Sequence, residues 1–135
     1  METARMLTLH LAEAFGLYLV AIGAGALIAP ERWRAIGGEM ERSPGLAIVT
    51  GVFTFVTGVA ILGIHHSLAD PLAIFITVAA ALAAVEGLLL LAVPHLLIAL
   101  SRPFFEHPRA WAIVAVLLGL FLLVAGFTGH ATTSL

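Results

Sequence analysis

The sequence predicts an all-α protein, a bundle of four transmembrane helices with almost no water-soluble mass outside the bilayer. Three observations carry that prediction. Of 135 residues, 61% are hydrophobic and 10% are charged, where a water-soluble domain carries about a quarter charged. The mean hydropathy is +1.13. The apolar residues also gather into four runs near the ~20 residues that a helix needs to cross a bilayer, and none alternates polar and apolar residues as a barrel strand must.

The first run covers about 7–29, with Glu13 near its start and no charge from Ala14 onward. No small-x-small cleavage pattern ends it and further spans follow, so it reads as an uncleaved first helix. The link 30–44 is the most highly charged segment, with Glu31, Arg32, Arg34, Glu39, Glu41 and Arg42. Proline suits a helix start, and Trp33, Ile36 and Met40 fall at i, i+3 and i+7. A short interfacial helix is expected there, anchored in the headgroup layer by Trp33.

The second span, 45–64, holds no charge, and a short link of six residues, His65 to Asp70, leads to the third, 71–93. That span holds one charge, Glu86. The third link, 94–109, opens on Pro94 and has Pro108 beside its end. Trp111 follows as a second interfacial anchor, and the fourth span, 110–129, is uncharged.

There is no lysine, and the arginines are unevenly placed. Arg32, Arg34, Arg42, Arg102 and Arg109 lie in the first and third links, against Arg5 alone in the N-terminal tail. By the positive-inside rule the links 30–44 and 94–109 are cytoplasmic and both termini lie outside.

The punctuation repeats at an offset of 64: Pro30 with Pro94, Pro44 with Pro108, Gly23 with Gly87, His66 with His130. Residue identity at that offset is no higher than this composition gives by chance. The proline pairs flanking each arginine-bearing link carry the argument. They predict a parallel two-fold repeat of helix pairs, with halves 9–66 and 73–130 and an axis along the membrane normal.

Few residues could carry chemistry. Glu86 stands ~22 Å along its helix from Pro71, well inside the hydrocarbon, where a carboxylate is expensive and by default functional. Its counterpart at the offset is Ile22. Thr50, Thr54 and Thr57 lie at i, i+4 and i+7 on the second span and could hydrogen-bond a protonated Glu86. The structural alternative is a neutral Glu86 that fastens two helices together.

Glu13 has His10 three residues earlier on the same face. His65, His66, Asp70 and His130 belong to the same, outer side. Imidazole and carboxylate are common zinc and copper ligands, so His10, Glu13, His65, His66 and His130 are metal candidates. Adjacent His65 and His66 point ~100° apart if helical, which favours ordinary polar residues at helix ends, and no resident metal or cofactor is expected. His95 and His107 fall on the cytoplasmic side.

Small residues recur at helical spacing, at Gly16 and Gly23, Gly51 and Gly58, Ala79, Ala83 and Gly87, and Ala115, Gly119 and Gly126. Such faces let helices approach closely in lipid, and some are candidates for binding a second copy or a protein partner. With no cysteine, disulfides and thiolate chemistry are excluded. A net charge of −2 gives no case for nucleic acid. No catalytic motif is present, and the links are too short to build an enzyme-sized pocket.

Pro30-Glu31-Arg32-Trp33 and Ser43-Pro44 resemble a layout found in small bacterial four-helix membrane proteins of unassigned function. The resemblance covers most of the chain and implies a bacterial inner membrane. Leu11-Ala12-Glu13-Ala14-Phe15-Gly16 is similar to the first helix of small multidrug-resistance exporters, which would make Glu13 a proton and substrate site. Those exporters are shorter, with tight loops and a tryptophan and tyrosines in the pocket; here both tryptophans fall in or near links, and Tyr18 is the single tyrosine. The sequence therefore leads to a non-enzymatic membrane protein, an accessory or scaffolding subunit or homo-oligomer. The alternative is a small proton-coupled transporter using Glu86 and Glu13.

Overall fold

A computed structural model describes residues 2–133, and the side chains of residue 3 and residues 5–129. Among the described residues all regular structure is helical, in six helices: α1 (Glu2–Ile28), α2 (Pro30–Arg42), α3 (Pro44–Ile64), α4 (Pro71–Ala92), α5 (Pro94–Glu106) and α6 (Pro108–Thr133). Four of them are long and apolar enough to cross a bilayer, over Arg5–Ile28, Pro44–Ile64, Pro71–Ala92 and Pro108–Gly129. This is the organisation of a multi-pass membrane protein.

Proline writes the boundaries. Each of α2 to α6 begins at a proline, where the missing N–H leaves no helical bond unmade and φ is already set. The ring also pushes the preceding residue out of the helical region. Ala29, Ser43, Asp70, Val93 and His107 accordingly take extended or intermediate backbone angles. Four of these are single-residue joints between helices; the one true loop is 65–70. Ser43 Oγ and Asp70 Oδ1 cap α3 and α4, accepting from the backbone N–H of Leu46 at 3.2 Å and of Ala73 at 2.8 Å.

The spans agree with expectation to within a few residues, α1 starting earlier and α6 at Pro108. The third link also holds a helix, over the segment where the offset of 64 carries the face Trp33, Ile36 and Met40 onto Leu97, Leu100 and Phe104. α5 has the same 13 residues as α2 and contains Pro103.

Two helix pairs dominate the packing, α1 against α6 and α3 against α4, while α2 packs on α5. The core is mostly alanine, with Ala12, Ala26, Ala73, Ala80 and Ala112 nearly inaccessible, and large side chains such as Phe53, Leu117 and Phe121 point outward. Lipid is as apolar as leucine, so close backbone approach rather than burial of bulk holds such helices together. The glycines are the contact points. A Cβ on Gly16 would lie 2.7 Å from the Gly119 carbonyl, and one on Gly58 would lie 2.5 Å from the Ala84 amide. Gly23 faces Ala112 and Val116, Gly51 faces Gly87, and Gly126 faces Leu9 and Glu13. Most glycines of the small-residue faces are thus in contact within the chain, while Ala83 lines an open cavity and Gly25, Gly45 and Gly63 look onto open space.

The start of α1, loop 65–70 and the end of α6 share one end of the bundle. The helices α2 and α5 occupy the other. There Trp33 and Trp111, expected as two separate anchors, meet edge to face with centroids 5.0 Å apart. Arg102 pairs with Glu41 at 3.0 Å, both side chains exposed.

Candidate functional site: a lateral cleft at Glu86

Because α1 pairs with α6 and α3 with α4, the side between α1 and α3 is not closed by direct packing. A cavity of about 610 Å³ opens there. From α1 it is lined by Leu11, Ala14, Phe15 and Tyr18, from α3 by Phe53, Thr54, Thr57 and Ile61, and from α4 by Ala83 and Glu86. Glu86, Tyr18, Phe53 and Thr57 are exposed, so the cleft faces outward from the bundle and not into a sealed interior. Glu86 sits six residues before the end of α4, ~9 Å from the end that α2 and α5 occupy. Ile61 lies 17 residues past Pro44, ~25 Å from that end. The carboxylate therefore stands near one end of a long apolar slot.

The threonines do not tie Glu86 down. Thr54 donates to the carbonyl of Thr50 at 2.8 Å, the back-bond typical of helical threonine. Thr50 turns away to the Met40 sulfur, 4.0 Å away. Thr54 and Thr57 share the cleft with Glu86, and Thr50 does not line it. Among the described residues no hydrogen bond reaches the Glu86 carboxylate. The expected helix-fastening role is not built by these groups.

Glu13 lies elsewhere. Its side chain packs over Gly126 on α6, and its Oε2 is 3.8 Å from His10 Nδ1. The two intramembrane glutamates therefore face different helices and do not form one site.

The outer-side histidines diverge. His65 is 3% exposed and buried against Thr8, also 3% exposed. Its Nε2 is 2.7 Å from Thr8 Oγ1, and its Nδ1 is 3.1 Å from Thr77 Oγ1. His66 is exposed, with Nδ1 3.1 Å from the Leu62 carbonyl oxygen. His10 is also exposed, and the His130 side chain lies outside the described residues. Among the described residues no three His, Cys, Asp or Glu side chains come together.

Sequence reasoning missed Thr8, Thr77, Tyr18, Phe15 and Phe53. Thr77 had a signal, as the one polar side chain in α4 besides Glu86. Tyr18 had one as the single tyrosine. Nothing in the sequence singled out Phe15 or Phe53 among eight phenylalanines.

Comparison of the chain with family models, with curated proteins and with solved structures finds no match.

Proposed function

We propose that the chain is a non-enzymatic membrane protein that works by recognition inside the bilayer, as a small proton-coupled carrier with the Glu86 cleft as its site. One observation carries this reading: a carboxylate within a span, six residues from the end of its helix, lines an open apolar cleft and has no hydrogen-bond partner among the described residues. A bare carboxylate within a span is costly, and taking up a proton or pairing with a cation relieves that cost. Exchange between those two states is the elementary step of proton coupling. Tyr18 is the other titratable side chain lining the cleft, and α3 contributes none.

The second reading is an accessory or scaffolding subunit, in which a partner helix covers the same cleft. It is favoured by the exposure of Glu86 and Phe53 side by side on the outer surface. With the main glycine contacts made inside the bundle, this reading places the partner on the cleft side.

Glu86→Gln separates the two. In proteoliposomes with an internal pH dye, the carrier reading expects cation-driven proton movement to fall at least tenfold in Glu86→Gln, with folding unchanged. A wild-type chain that moves no protons, and that brings a stoichiometric protein partner through mild-detergent purification, supports the subunit reading instead.

Finer organisation belongs to the same proposal. The two halves are a parallel repeat: α2 and α5 have equal length and start 64 residues apart, as do α3 and α6. The pairing fits a two-fold axis, because it exchanges α1·α6 with α4·α3. In our reading α2 and α5 lie in the headgroup layer of a bacterial inner membrane on the cytoplasmic side. Five arginines against one support that side.

A further inference from the structure

We infer that the fold builds the lateral cleft twice, and that the copy at Glu86 is adapted to hold a lipophilic organic cation. The inference rests on the Glu86 cleft being the working site.

A second cavity, of about 410 Å³, lies between α4 and α6. Four of its lining residues stand 64 positions after lining residues of the first: Phe75 after Leu11, Leu118 after Thr54, Phe121 after Thr57, Ala125 after Ile61. Each cleft lies between the first and third helix of its own half, on the side that the tight pairs leave open. The cavity is thus a consequence of the architecture. Its polarity is not.

At each polar position of the first cleft, the residue 64 positions away in the other half is apolar: Leu118 for Thr54, Phe121 for Thr57, Leu82 for Tyr18 and Ile22 for Glu86. Of these, Leu118 and Phe121 line the second cleft. Asp70 at the rim of the second cleft is accounted for, because its side chain caps α4 through the Ala73 amide. Exchanging Leu and Phe for two threonines widens the first cleft, and Glu86 places one negative charge in it. A charge in lipid is costly, and no hydrogen bond within the described protein offsets it. The repeat makes plain that the fold does not require it.

The lining selects the ligand class. One carboxylate with no arginine, lysine or histidine beside it excludes an anion. A lone carboxylate is too few ligands for a metal ion. Phe15, Tyr18 and Phe53 put three aromatic rings in the lining, a residue type whose faces attract cations, along a slot of the size that takes a small organic molecule. A monovalent cation with an apolar body matches both features.

The test uses the full chain in lipid nanodiscs. Tetraphenylphosphonium is the cationic probe and triphenylphosphine oxide the neutral one, each followed by equilibrium dialysis. The cation should bind the wild type and lose at least tenfold in affinity in Glu86→Gln, while the neutral probe changes less than twofold. Thr57→Phe, which restores the residue type of the second cleft, should weaken both probes at least tenfold. Phe121→Thr should leave cation binding unchanged, since that cleft has no carboxylate. Melting temperatures within a few degrees of wild type show that the variants fold. Equal cation affinity in wild type and Glu86→Gln overturns the cation assignment. If the neutral probe still depends on Thr57, the cleft stands as a binding site for a different class. If neither probe binds, the cleft reading falls with it.

Discussion

Whenever the His65 ring is neutral, the hydrogen bonds around it select one tautomer. Thr77 has one hydroxyl proton, and it donates that proton to the Ser67 carbonyl at 2.9 Å. Toward His65 it can therefore only accept, so Nδ1 carries the hydrogen and Nε2 is left to accept from the Thr8 side. Nitrogen-15 chemical shifts of the ring should show protonated Nδ1 and bare Nε2 at neutral charge; the reverse pattern would break the assignment. Loss of the ring removes two side-chain hydrogen bonds and leaves a cavity at a buried contact, so His65→Ala should destabilise by about 1–3 kcal/mol. The exposed neighbour makes a contrast: His66→Ala should change stability by less than about 0.5 kcal/mol. Thermal unfolding of both in micelles checks the pair. Sequence spacing indicated that the two rings diverge, but not which one turns inward. That choice is made by Thr8, 57 positions away, and by Thr77. Glu86 was legible as an intramembrane carboxylate for the same local reason that its surroundings were not: depth follows from counting along one helix, whereas neighbours depend on which helices meet.

At the scale of elements, proline and glycine do different work. The prolines set where helices start, and those starts were readable because proline acts on its own backbone and the residue before it. The glycines set which helices meet, and that was not readable. In lipid both the outer surface and the core are apolar, so a span carries no polar face to mark its inside. Small-residue spacing identified contact faces without identifying their partners, so Gly16 and Gly58 could not be assigned to α6 and α4 before the helices were seen to meet. The energetic consequence is specific. A methyl added at Gly58 would meet the backbone of Ala80 and Ala84 on α4, with nothing flexible to give way. Gly58→Ala should destabilise by about 1–3 kcal/mol through overpacking. Gly25→Ala, with open space around it, should be neutral or stabilise by up to about 1 kcal/mol through helix propensity. Unfolding in micelles that ranked the two the other way would mean that α3 and α4 do not meet at Gly58. The exposed Arg102–Glu41 pair between α2 and α5 contributes little by comparison, as surface ion pairs do.

For the whole molecule, each long helix finds its main partner in the other half of the chain: α1 with α6, α3 with α4. A half expressed alone therefore leaves Gly16, Gly23, Gly51 and Gly58 facing lipid with no matching surface. Cutting the chain between Leu68 and Ala69, two exposed residues of the single true loop, should give fragments 1–68 and 69–135 that accumulate together as a complex and are degraded when expressed singly. The repeat raises a competing outcome, since two copies of the first half could imitate the full bundle by pairing α1 with α3. The glycine contacts keep that outcome in play. Gly16 and Val20 meet Gly119, while Gly58 meets Ala80 and Ala84, which stand 64 residues after Gly16 and Val20. The first half therefore carries, in Gly58, a glycine that meets the counterparts of its own α1 residues. Co-purification of the two fragments with different tags, together with the single-fragment controls, measures this directly. A stable homodimer of 1–68 that fails to exchange with 69–135 would show that the halves have kept equivalent faces.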